Sequence, residues 1–496
     1  METRKKTIRN SFLYLLPVAV ASLFPLLSLP IFTRILTTED YGHLALAQIY
    51  ALPASGLVNL GLNLAYERNF FQYRGKEEAA RLLYSILLFS IIALGCGITL
   101  TWLFKPQLAE WIMGSRLHAD LLFWAFCATG TATLKTHYLT YFKNSEKAGD
   151  FTRYTIAESG LWFLFSFLMV VYLRVGVTGL VWSQLLSGII IFFVLGWKFF
   201  RLLPISFNKT MLRESLKISL PLTPRLFLGI VNNQFDKYMI GLMGTIGGVG
   251  VYNIGQKIAS TVFTFMTAVE NVFTPRFYRK MFDPGEKGGE SIGRYITPFA
   301  FVCLGPALLV SLFSEEMITL LTPPAYHGAI RIVIVLSMYY GFLFFGKLTG
   351  PRFLFTKKTY MTTLLSFVTT GLTIALNIPF IMKWGAIGAA WALLASGIIS
   401  GTISLLVAQR YYPIRWEYGK MAAIFLIFFA ASFAALILNV TSAEYPVRVT
   451  LKTALAGIYV YLGVQLRVIT VENFNLLRGL LPGKLNWAGD HGSRSL

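Results

Sequence analysis

Leu82 to Phe104 reads LLYSILLFSIIALGCGITLTWLF, with no charged residue between Arg81 and Lys105. A helix needs about 20 mostly apolar residues to cross the hydrocarbon core of a bilayer, so this segment predicts a transmembrane span. The chain contains fourteen segments of this kind, at 11–33, 43–65, 82–104, 119–142, 154–173, 177–199, 215–242, 248–274, 292–313, 328–346, 359–382, 386–409, 420–440 and 447–467. We therefore predict an all-α integral membrane protein with about 14 transmembrane helices.

The composition of the chain agrees with this prediction. Of the 496 residues, 55% are hydrophobic and only 14% are charged, and the mean hydropathy is +0.61. A soluble protein carries about 25% charged residues, so the chain has too little polar surface for a water-soluble globule. The formal net charge is +21. The basic residues recur in short clusters between apolar runs, as in membrane proteins, which argues against a nucleic-acid-binding domain.

The distribution of Lys and Arg predicts the orientation. If the N-terminus lies inside, and residues near the end of a span are counted with the adjoining segment, 32 of the 44 Lys and Arg residues fall in inside segments and seven in outside segments, while five lie deeper within spans. Cytoplasmic loops carry an excess of Lys and Arg. We therefore predict that both termini are cytoplasmic, and "inner" and "outer" refer throughout to the faces in this predicted orientation.

The chain contains an internal repeat. Gly176 to Trp182 (GVTGLVW) aligns with Gly385 to Trp391 (GAIGAAW) at an offset of 209 residues. Three more pairs align at an offset of 208, namely Gly42 with Gly250, Gln48 with Gln256, and Arg68 with Arg276. Six spans separate the copies, so both copies face the same way, as in transporters built from parallel repeats.

This repeat predicts the domain organisation. Residues 1–205 would form an N-lobe of spans 1–6, and residues 206–411 would form a C-lobe of spans 7–12. Residues 412–496 would hold spans 13 and 14 and a cytoplasmic tail. The fold that we predict is therefore two parallel six-helix lobes plus two C-terminal helices.

No motif of an enzyme active site stands out. The sequence has no Gly-rich phosphate loop, paired-cysteine cluster or His–Glu zinc pattern. We therefore predict no catalytic residues, no metal site and no cofactor. The longer outer segments contain Glu110 and the pair Glu315 and Glu316, without a companion cluster nearby in sequence.

Ionisable residues inside the predicted spans are the candidates for function. Each costs about 2.5–3.5 kcal/mol at the bilayer centre on insertion scales, so each needs a polar environment. These residues are Lys135, Glu158, Arg225, Asp236, Lys237, Lys257, Glu270 and Lys452. Lys135 and Lys452 can instead extend their ammonium groups to the membrane surface. Asp236 and Lys237 can simply pair near the outer end of span 7.

A mid-span position with no acid nearby in sequence makes Arg225 the first candidate to contact an anionic substrate in a water-filled cavity. Arg68 and Arg276 end spans 2 and 8 at the inner face, where positive-inside topology also explains them. The predicted substrate-binding residues are Arg225, Lys257, Arg68, Arg276 and Lys237. The candidates for ion coupling are Asp236, Glu158 and Glu270.

Prolines mark the first span of each lobe. Span 1 contains Pro17, Pro25 and Pro30, and span 7 contains Pro221 and Pro224. Proline removes a backbone donor and bends a helix, and the freed carbonyls need protein or cavity water as partners. Two equivalent bent helices indicate that spans 1 and 7 line a central path, although proline is also common in membrane helices generally.

Several segments resemble one known family. FTKK at 355–358, NIP at 377–379 and GAIGAAW at 385–391 resemble the eleventh-to-twelfth helix region of polysaccharide flippases, which include O-antigen translocases. DK at 236–237 followed by VGVY at 249–252 resembles the seventh-to-eighth helix pattern of that family. The family is part of the multidrug/oligosaccharidyl-lipid/polysaccharide exporter superfamily, and the resemblance covers nearly the whole chain in span count and order.

The resemblance implies a flippase that moves undecaprenyl-diphosphate-linked oligosaccharide from the cytoplasmic to the outer leaflet by alternating access. Such a protein serves the biosynthesis of cell-surface polysaccharide, such as the O-antigen of lipopolysaccharide. The resemblance also implies a location in the bacterial cytoplasmic (inner) membrane, where membrane lipids, a polysaccharide polymerase and chain-length machinery are its expected partners.

Two other functions stay open. One is a multidrug exporter of the same superfamily. Two observations argue against it, namely the surplus of basic over acidic residues inside the spans and the count of fourteen spans. The other is a membrane glycosyltransferase or polymerase. Span 1 is uncharged until Arg34, unlike the first helix of the lipid II flippase branch, which argues against lipid II as the substrate.

Overall fold

The computed structural model describes residues 20, 24–73, 75–282, 289–358, 360–441 and 444–468, and these residues form helices without any β-strand. The α-helices are α1 (Leu29–Phe32), α2 (Thr38–Asn59), α3 (Leu62–Phe70), α4 (Lys76–Met113), α5 (Ala119–Asn144), α6 (Ala148–Ser166), α7 (Thr178–Leu202), α8 (Lys209–Ser219), α9 (Thr223–Met243), α10 (Ile246–Met281), α11 (Glu290–Leu312), α12 (Ser314–Leu321), α13 (Ala329–Phe355), α14 (Tyr360–Trp384), α15 (Ala386–Tyr411), α16 (Tyr418–Leu438) and α17 (Tyr445–Gln465).

Each predicted span from the second to the fourteenth coincides with one or two of these helices, and most of span 1 lies outside the described residues. Among the described helices, nine are long and apolar enough to cross a membrane, and the bent pair α2 and α3 raises this number to ten. The helices α5, α9 and α10 fall short because they carry polar and ionisable residues. The chain is thus an all-α, multi-pass membrane protein, and the count of fourteen spans stays a prediction.

The two halves of the chain pack their helices in the same pattern. In the first half, α5 contacts α2, α4 and α7, and α6 packs on α7. In the second half, α13 contacts α10, α11 and α15, and α14 packs on α15. These are the pairs that the sequence repeat makes equivalent, and α2 packs against its equivalent α10 between the halves. The helices α16 and α17 pack on α11, outside this pattern. The residue boundaries of the lobes stay a prediction.

Two glycines allow the close approach of α2 and α10. A Cβ atom on Gly42 would lie 2.1 Å from the carbonyl oxygen of Ile246, and a Cβ atom on Gly250 would lie 1.9 Å from the carbonyl oxygen of Thr38. Gly42 and Gly250 are repeat equivalents, and so are Thr38 and Ile246 at the same offset of 208. The outer ends of the two helices therefore cross through a symmetric backbone contact that no larger residue would permit.

Other contacts close the same outer side. The hydroxyl of Tyr326 donates a hydrogen bond of 2.7 Å to the carbonyl oxygen of Leu36, and its ring packs edge-on against Tyr41. The hydroxyl of Thr33 lies 3.3 Å from the carbonyl oxygen of Leu321. Each contact joins a segment of the first half to a segment of the second. The described structure is therefore closed between the halves at its outer end.

Helix breaks in spans 2 and 7 lie against each other. Leu60 and Gly61 adopt left-handed backbone angles, with φ of 47° and 67°, and α2 and α3 are bent by 44° there. Span 7 is broken by a 3₁₀ turn at Leu220–Leu222, as its prolines predict. A Cβ atom on Gly61 would lie 3.2 Å from Leu226 Cδ1. The break in span 2 therefore fits directly beside the start of α9.

The predicted orientation can be tested with reporter fusions. A reporter fused after residue 145 or residue 205 follows α5 or α7, and the charge distribution places both sites in the cytoplasm. We expect a cytoplasmic reporter to be active and a periplasmic reporter to be inactive at both sites, with the reverse result after residue 115. A periplasmic signal after residue 145 or 205 would contradict the orientation.

Candidate functional site

The central feature of the candidate site is Lys257, which lies beneath the outer closure. It follows Gly250 by seven residues on α10, which puts both on the same face of the helix and about 10 Å apart along its axis. Its side chain extends back toward the closure, and its ammonium Nζ lies 5.3 Å from the ring centroid of Tyr41 on α2. No carboxylate among the described residues forms an ion pair with Lys257. The site therefore has a cation at the interface of the two halves.

Lys237 lies beside Lys257, and it does not form with Asp236 the ion pair that the sequence allows. Asp236 is buried and accepts a hydrogen bond of 2.5 Å from the hydroxyl of Tyr252. Lys237 is also buried, and its Nζ donates to Oε1 of Gln234 at 3.1 Å. Lys237 and Lys257 are close enough for their charges to repel. This cluster on α9 and α10 holds two cations against one carboxylate, an arrangement that favours a bound anion.

Glu158, a predicted ion-coupling residue, forms an ion pair with Lys135. The pair joins α5 to α6, and both side chains are mostly buried. The expectation that Lys135 extends to the membrane surface is therefore wrong, because a carboxylate on the neighbouring helix satisfies it inside the bundle. The sequence could not reveal this pair, since the two residues lie on different helices.

We expect Glu158→Gln to lower stability more than it alters ion coupling. Removing one partner leaves Lys135 as an unpaired charge among apolar helices, at a cost of about 3 kcal/mol. The double variant Lys135→Met and Glu158→Gln should recover most of that loss. Thermal unfolding of the four proteins in detergent measures the effect. Loss of transport in Glu158→Gln with unchanged unfolding would contradict this structural role and favour coupling.

Glu270, a second predicted ion-coupling residue, is also paired. Its carboxylate lies 2.7 Å from Nζ of Lys347 on α13, and that ammonium also lies 4.5 Å from the ring centroid of Phe263. The tenth predicted span ends at residue 346, which leaves Lys347 just outside it, but α13 continues to Phe355. The sequence did not indicate that Lys347 lies in the span, because the apolar run before it already has nearly the 20 or so residues that a span needs.

Lys452 is fully buried in an ion-pair cluster at the outer face. Its Nζ lies 2.6 Å from Glu315 Oε2 and 2.8 Å from Glu316 Oε1, and Arg448 Nη1 lies 2.9 Å from Glu315 Oε1. The expectation that Lys452 extends freely to the surface is therefore wrong, because two glutamates that are distant in sequence hold its ammonium group. The cluster fastens α17 to the short outer helix α12.

The position of Arg225 differs from the mid-span location that the sequence indicates. The 3₁₀ turn ends at Leu222, and α9 begins at Thr223, so Arg225 lies in the first turn of α9. The preceding helix α8 carries four charged residues and cannot continue the span. The side chains of Arg225 and Arg276 lie outside the described part of the structure, so their predicted substrate contacts stay predictions.

Arg68 lies in the last turn of α3 with an exposed side chain. Its Nη1 donates to Oδ1 of Asn69 at 2.8 Å, and the Asn69 side chain donates in turn to Ser215 Oγ on α8 at 2.9 Å. Arg68 is thus a cation at the inner end of span 2, next to the segment that leads into span 7. Its predicted contact with substrate at the inner face stays a prediction.

Arg352 is a buried cation that sequence reasoning missed. Its guanidinium donates to the carbonyl oxygen of Leu348 at 3.1 Å and to Oε1 of Gln409 at 3.2 Å. The same Gln409 oxygen accepts a hydrogen bond from the indole N–H of Trp416. Arg352 therefore ties the inner ends of α13 and α15 to the segment before α16, which is a structural role.

Comparison with known proteins identifies the architecture and the family. Residues 7–281 match the family described as "Polysaccharide biosynthesis protein". A protein of Escherichia coli (strain K12) named "Putative O-antigen transporter" is 21% identical over 427 residues, which cover 83% of this chain and 99% of that protein.

Solved structures share the fold. The chain is similar to the lipid II flippase MurJ in an inward closed conformation, with a TM-score of 0.70, 14% identity and coverage of 93% of this chain and 99% of that one. It is also similar to an inward-facing multidrug resistance MATE family transporter of the MOP superfamily, with a TM-score of 0.61, 17% identity and coverage of 79% and 94%. The family match spans more than half of the chain, and the fold similarity spans nearly all of it. The chain therefore belongs to the polysaccharide biosynthesis protein family, with the fold of the MOP superfamily transporters.

Proposed function

We propose that this protein flips polyprenyl-diphosphate-linked oligosaccharide from the inner to the outer leaflet, with Lys257 as the principal contact for the diphosphate. The observation that carries the proposal is the position of Lys257, which lies between the two halves, directly beneath the outer closure and without an ion-pair partner among the described residues. Lys237 adds a second cation beside it, and this one is buried. A diphosphate is the anion that matches two neighbouring ammonium groups.

The membrane explains why such a site is needed. An unpaired hydroxyl or amide costs about 4–8 kcal/mol on transfer from water to hydrocarbon, so an oligosaccharide cannot cross unaided. A polar path between two lobes removes this cost, while the polyprenyl tail stays in the lipid. Alternating access then requires the outer contact at Gly42 and Gly250 to open after the headgroup has bound.

The membrane potential can drive the transport. Each elementary charge is worth about 2.3 kcal/mol per 100 mV. If the headgroup carries two negative charges, its movement out of a negative interior gains roughly 4–5 kcal/mol at 100 mV. Of the three predicted ion-coupling residues, Glu158 and Glu270 are held in ion pairs. Asp236 is the remaining candidate if transport is coupled to Na⁺ or H⁺ instead.

The alternative functions have less support. A multidrug exporter for cationic drugs needs an available carboxylate in its cavity, whereas Glu158 and Glu270 face lysines and Asp236 is bonded to Tyr252. A glycosyltransferase or polymerase needs acids or histidines on an outer loop. The outer glutamates Glu315 and Glu316 are instead engaged with Lys452.

Deletion of the gene tests the proposal. We expect the deletion strain to accumulate a lipid-linked oligosaccharide on the cytoplasmic leaflet, because synthesis continues without export. The wild-type gene and Lys383→Ala, which removes an outer lysine that stacks on Trp384, should both relieve the accumulation. Lys257→Ala should not, at equal protein level in the membrane. Accumulation on the outer leaflet would indicate a polymerase, and no accumulation would contradict the proposal.

A further inference from the structure

A large cavity lies between α9, α13, α14 and α15, in the second half of the chain and toward the inner face. Its volume is about 820 Å³, which lies within the range of sites that bind small molecules. The lining positions belong to the first half of α9, the last third of α13, the first half of α14 and the inner end of α15. It therefore lies on the cytoplasmic side of the lysine cluster in the predicted orientation.

The polar groups of this cavity are hydroxyls and amides. They belong to Asn232, Asn233, Thr349, Thr362, Thr363, Ser366, Thr369, Thr370 and Ser404. Among the lining side chains that the structure describes, every other one is apolar or glycine, and none is ionisable. The described lining thus differs in chemistry from the cluster of Asp236, Lys237 and Lys257, because it offers hydrogen bonds rather than charges to a ligand.

Several of these polar groups have no partner within the described part of the chain. Asn232 Oδ1 is buried from solvent and accepts no hydrogen bond. The hydroxyls of Thr363, Thr370 and Ser404 form no hydrogen bond with any described residue either. Groups that the fold does not use are available to a ligand, and a buried amide oxygen without a partner favours a ligand that donates a hydrogen bond.

On α9, the lining of the cavity ends about one helical turn before Lys237. Asn233 lines the cavity and precedes Lys237 by four residues, or about 6 Å along the helix. A ligand with an anionic group at Lys237 and Lys257 would therefore place the groups attached to it at the level of the cavity. Hydroxyl and amide groups among apolar side chains match a sugar ring, which presents hydroxyls at its edge and C–H groups on its faces.

We propose that this cavity binds the uncharged sugar residues of the substrate, adjacent to the lysine cluster that holds its diphosphate. The inference rests on the proposed function and extends it, because it separates recognition of the sugars from recognition of the diphosphate. An alkyl chain is a poorer occupant, since it would leave the hydroxyls and amides without hydrogen-bond partners.

The test compares two lipids in proteoliposomes that contain the purified full-length protein. One lipid, the short lipid, is a polyprenyl diphosphate without a sugar, and the other, the extended lipid, carries an N-acetylhexosamine followed by three neutral hexoses. The test variant is Thr363→Val with Thr370→Val and Ser404→Ala, which removes three hydroxyls that have no hydrogen-bond partner among the described residues. The matched control is Thr99→Val with Thr450→Val and Thr453→Val, which removes three exposed hydroxyls on α4 and α17.

We expect the cavity variant to transport the extended lipid at least tenfold more slowly than wild type, and the short lipid within twofold of wild type. The control variant should match wild type on both lipids. Equal rates of the cavity variant and wild type on the extended lipid would overturn the inference, as would an equal loss on both lipids. If wild type moves neither lipid, the proposed function itself fails, which is a distinct result.

Discussion

Alanine at both Gly42 and Gly250 is expected to disrupt the outer closure and to reduce transport by at least tenfold. Each new Cβ atom would lie about 2 Å from a backbone carbonyl oxygen of the opposite helix, and backbone atoms cannot move aside as a flexible side chain can. Overpacking of this kind costs about 1–3 kcal/mol at each site. Since every 1.4 kcal/mol changes an equilibrium tenfold, two such sites shift the population of the closed state by about tenfold or more.

Cysteine labelling measures this shift. Cys96, Cys127 and Cys303 are first replaced, and Lys257→Cys then serves as a reporter beneath the closure. An impermeant maleimide added outside should label the reporter slowly with both glycines present and much faster in the double alanine variant. Gly371→Ala on α14 is the control, because its Cβ atom would meet nothing within 4 Å. Equal labelling in all three backgrounds would contradict the closure.

Lys257→Glu is expected to abolish transport, with a larger effect than the neutral Lys257→Met. A hydrogen bond to a charged group contributes about 1.5–3 kcal/mol, so the loss of the ammonium corresponds to about a ten- to hundredfold loss of affinity for the diphosphate. The glutamate would add repulsion toward the phosphates. Lys257→Arg should retain most activity, because a guanidinium also binds phosphate.

The matched control for Lys257 is a lysine that already has a carboxylate as its ion-pair partner. Lys347→Met removes a cation whose carboxylate partner is Glu270, so it should lower stability rather than the affinity for the headgroup. Transport by Lys257→Glu at a rate near wild type would contradict the proposal that Lys257 is the principal contact for the diphosphate. A loss in Lys347→Met that exceeds the loss in Lys257→Met, at equal stability, would move the substrate site to α13.

Sequence patterns predicted the architecture because helix length and repeat spacing can both be read directly from the sequence. The offset of 208 residues paired Gly42 with Gly250, and the structure brings these two glycines to the same crossing. The prolines of span 7 predicted its break. Tyr252 belongs to the VGVY motif and Lys257 is one of the ionisable residues inside the spans, but neither observation shows which helix a side chain faces.

The partners of the buried charges could not be predicted for the same reason. Lys452 meets Glu315 across 137 residues of chain, and Glu270 meets Lys347 from a different helix. A lone ionisable residue in a span indicates that a polar partner exists, but tertiary packing decides which partner it is. The hydroxyl-lined cavity was missed because Ser and Thr occur throughout membrane helices, where they often bond their own backbone.

Reconstituted flipping tests the central claim most directly. Purified wild-type protein and Lys257→Glu are placed in separate liposomes whose inner leaflet holds a labelled polyprenyl-diphosphate oligosaccharide, and an impermeant glycosidase detects the sugar that reaches the outer leaflet. A potassium-diffusion potential, negative inside, is imposed without a Na⁺ or H⁺ gradient. The account predicts that wild type delivers the sugar faster as the potential increases, whereas Lys257→Glu matches protein-free liposomes. Wild-type delivery no faster than that of protein-free liposomes, with or without any ion gradient, would contradict it.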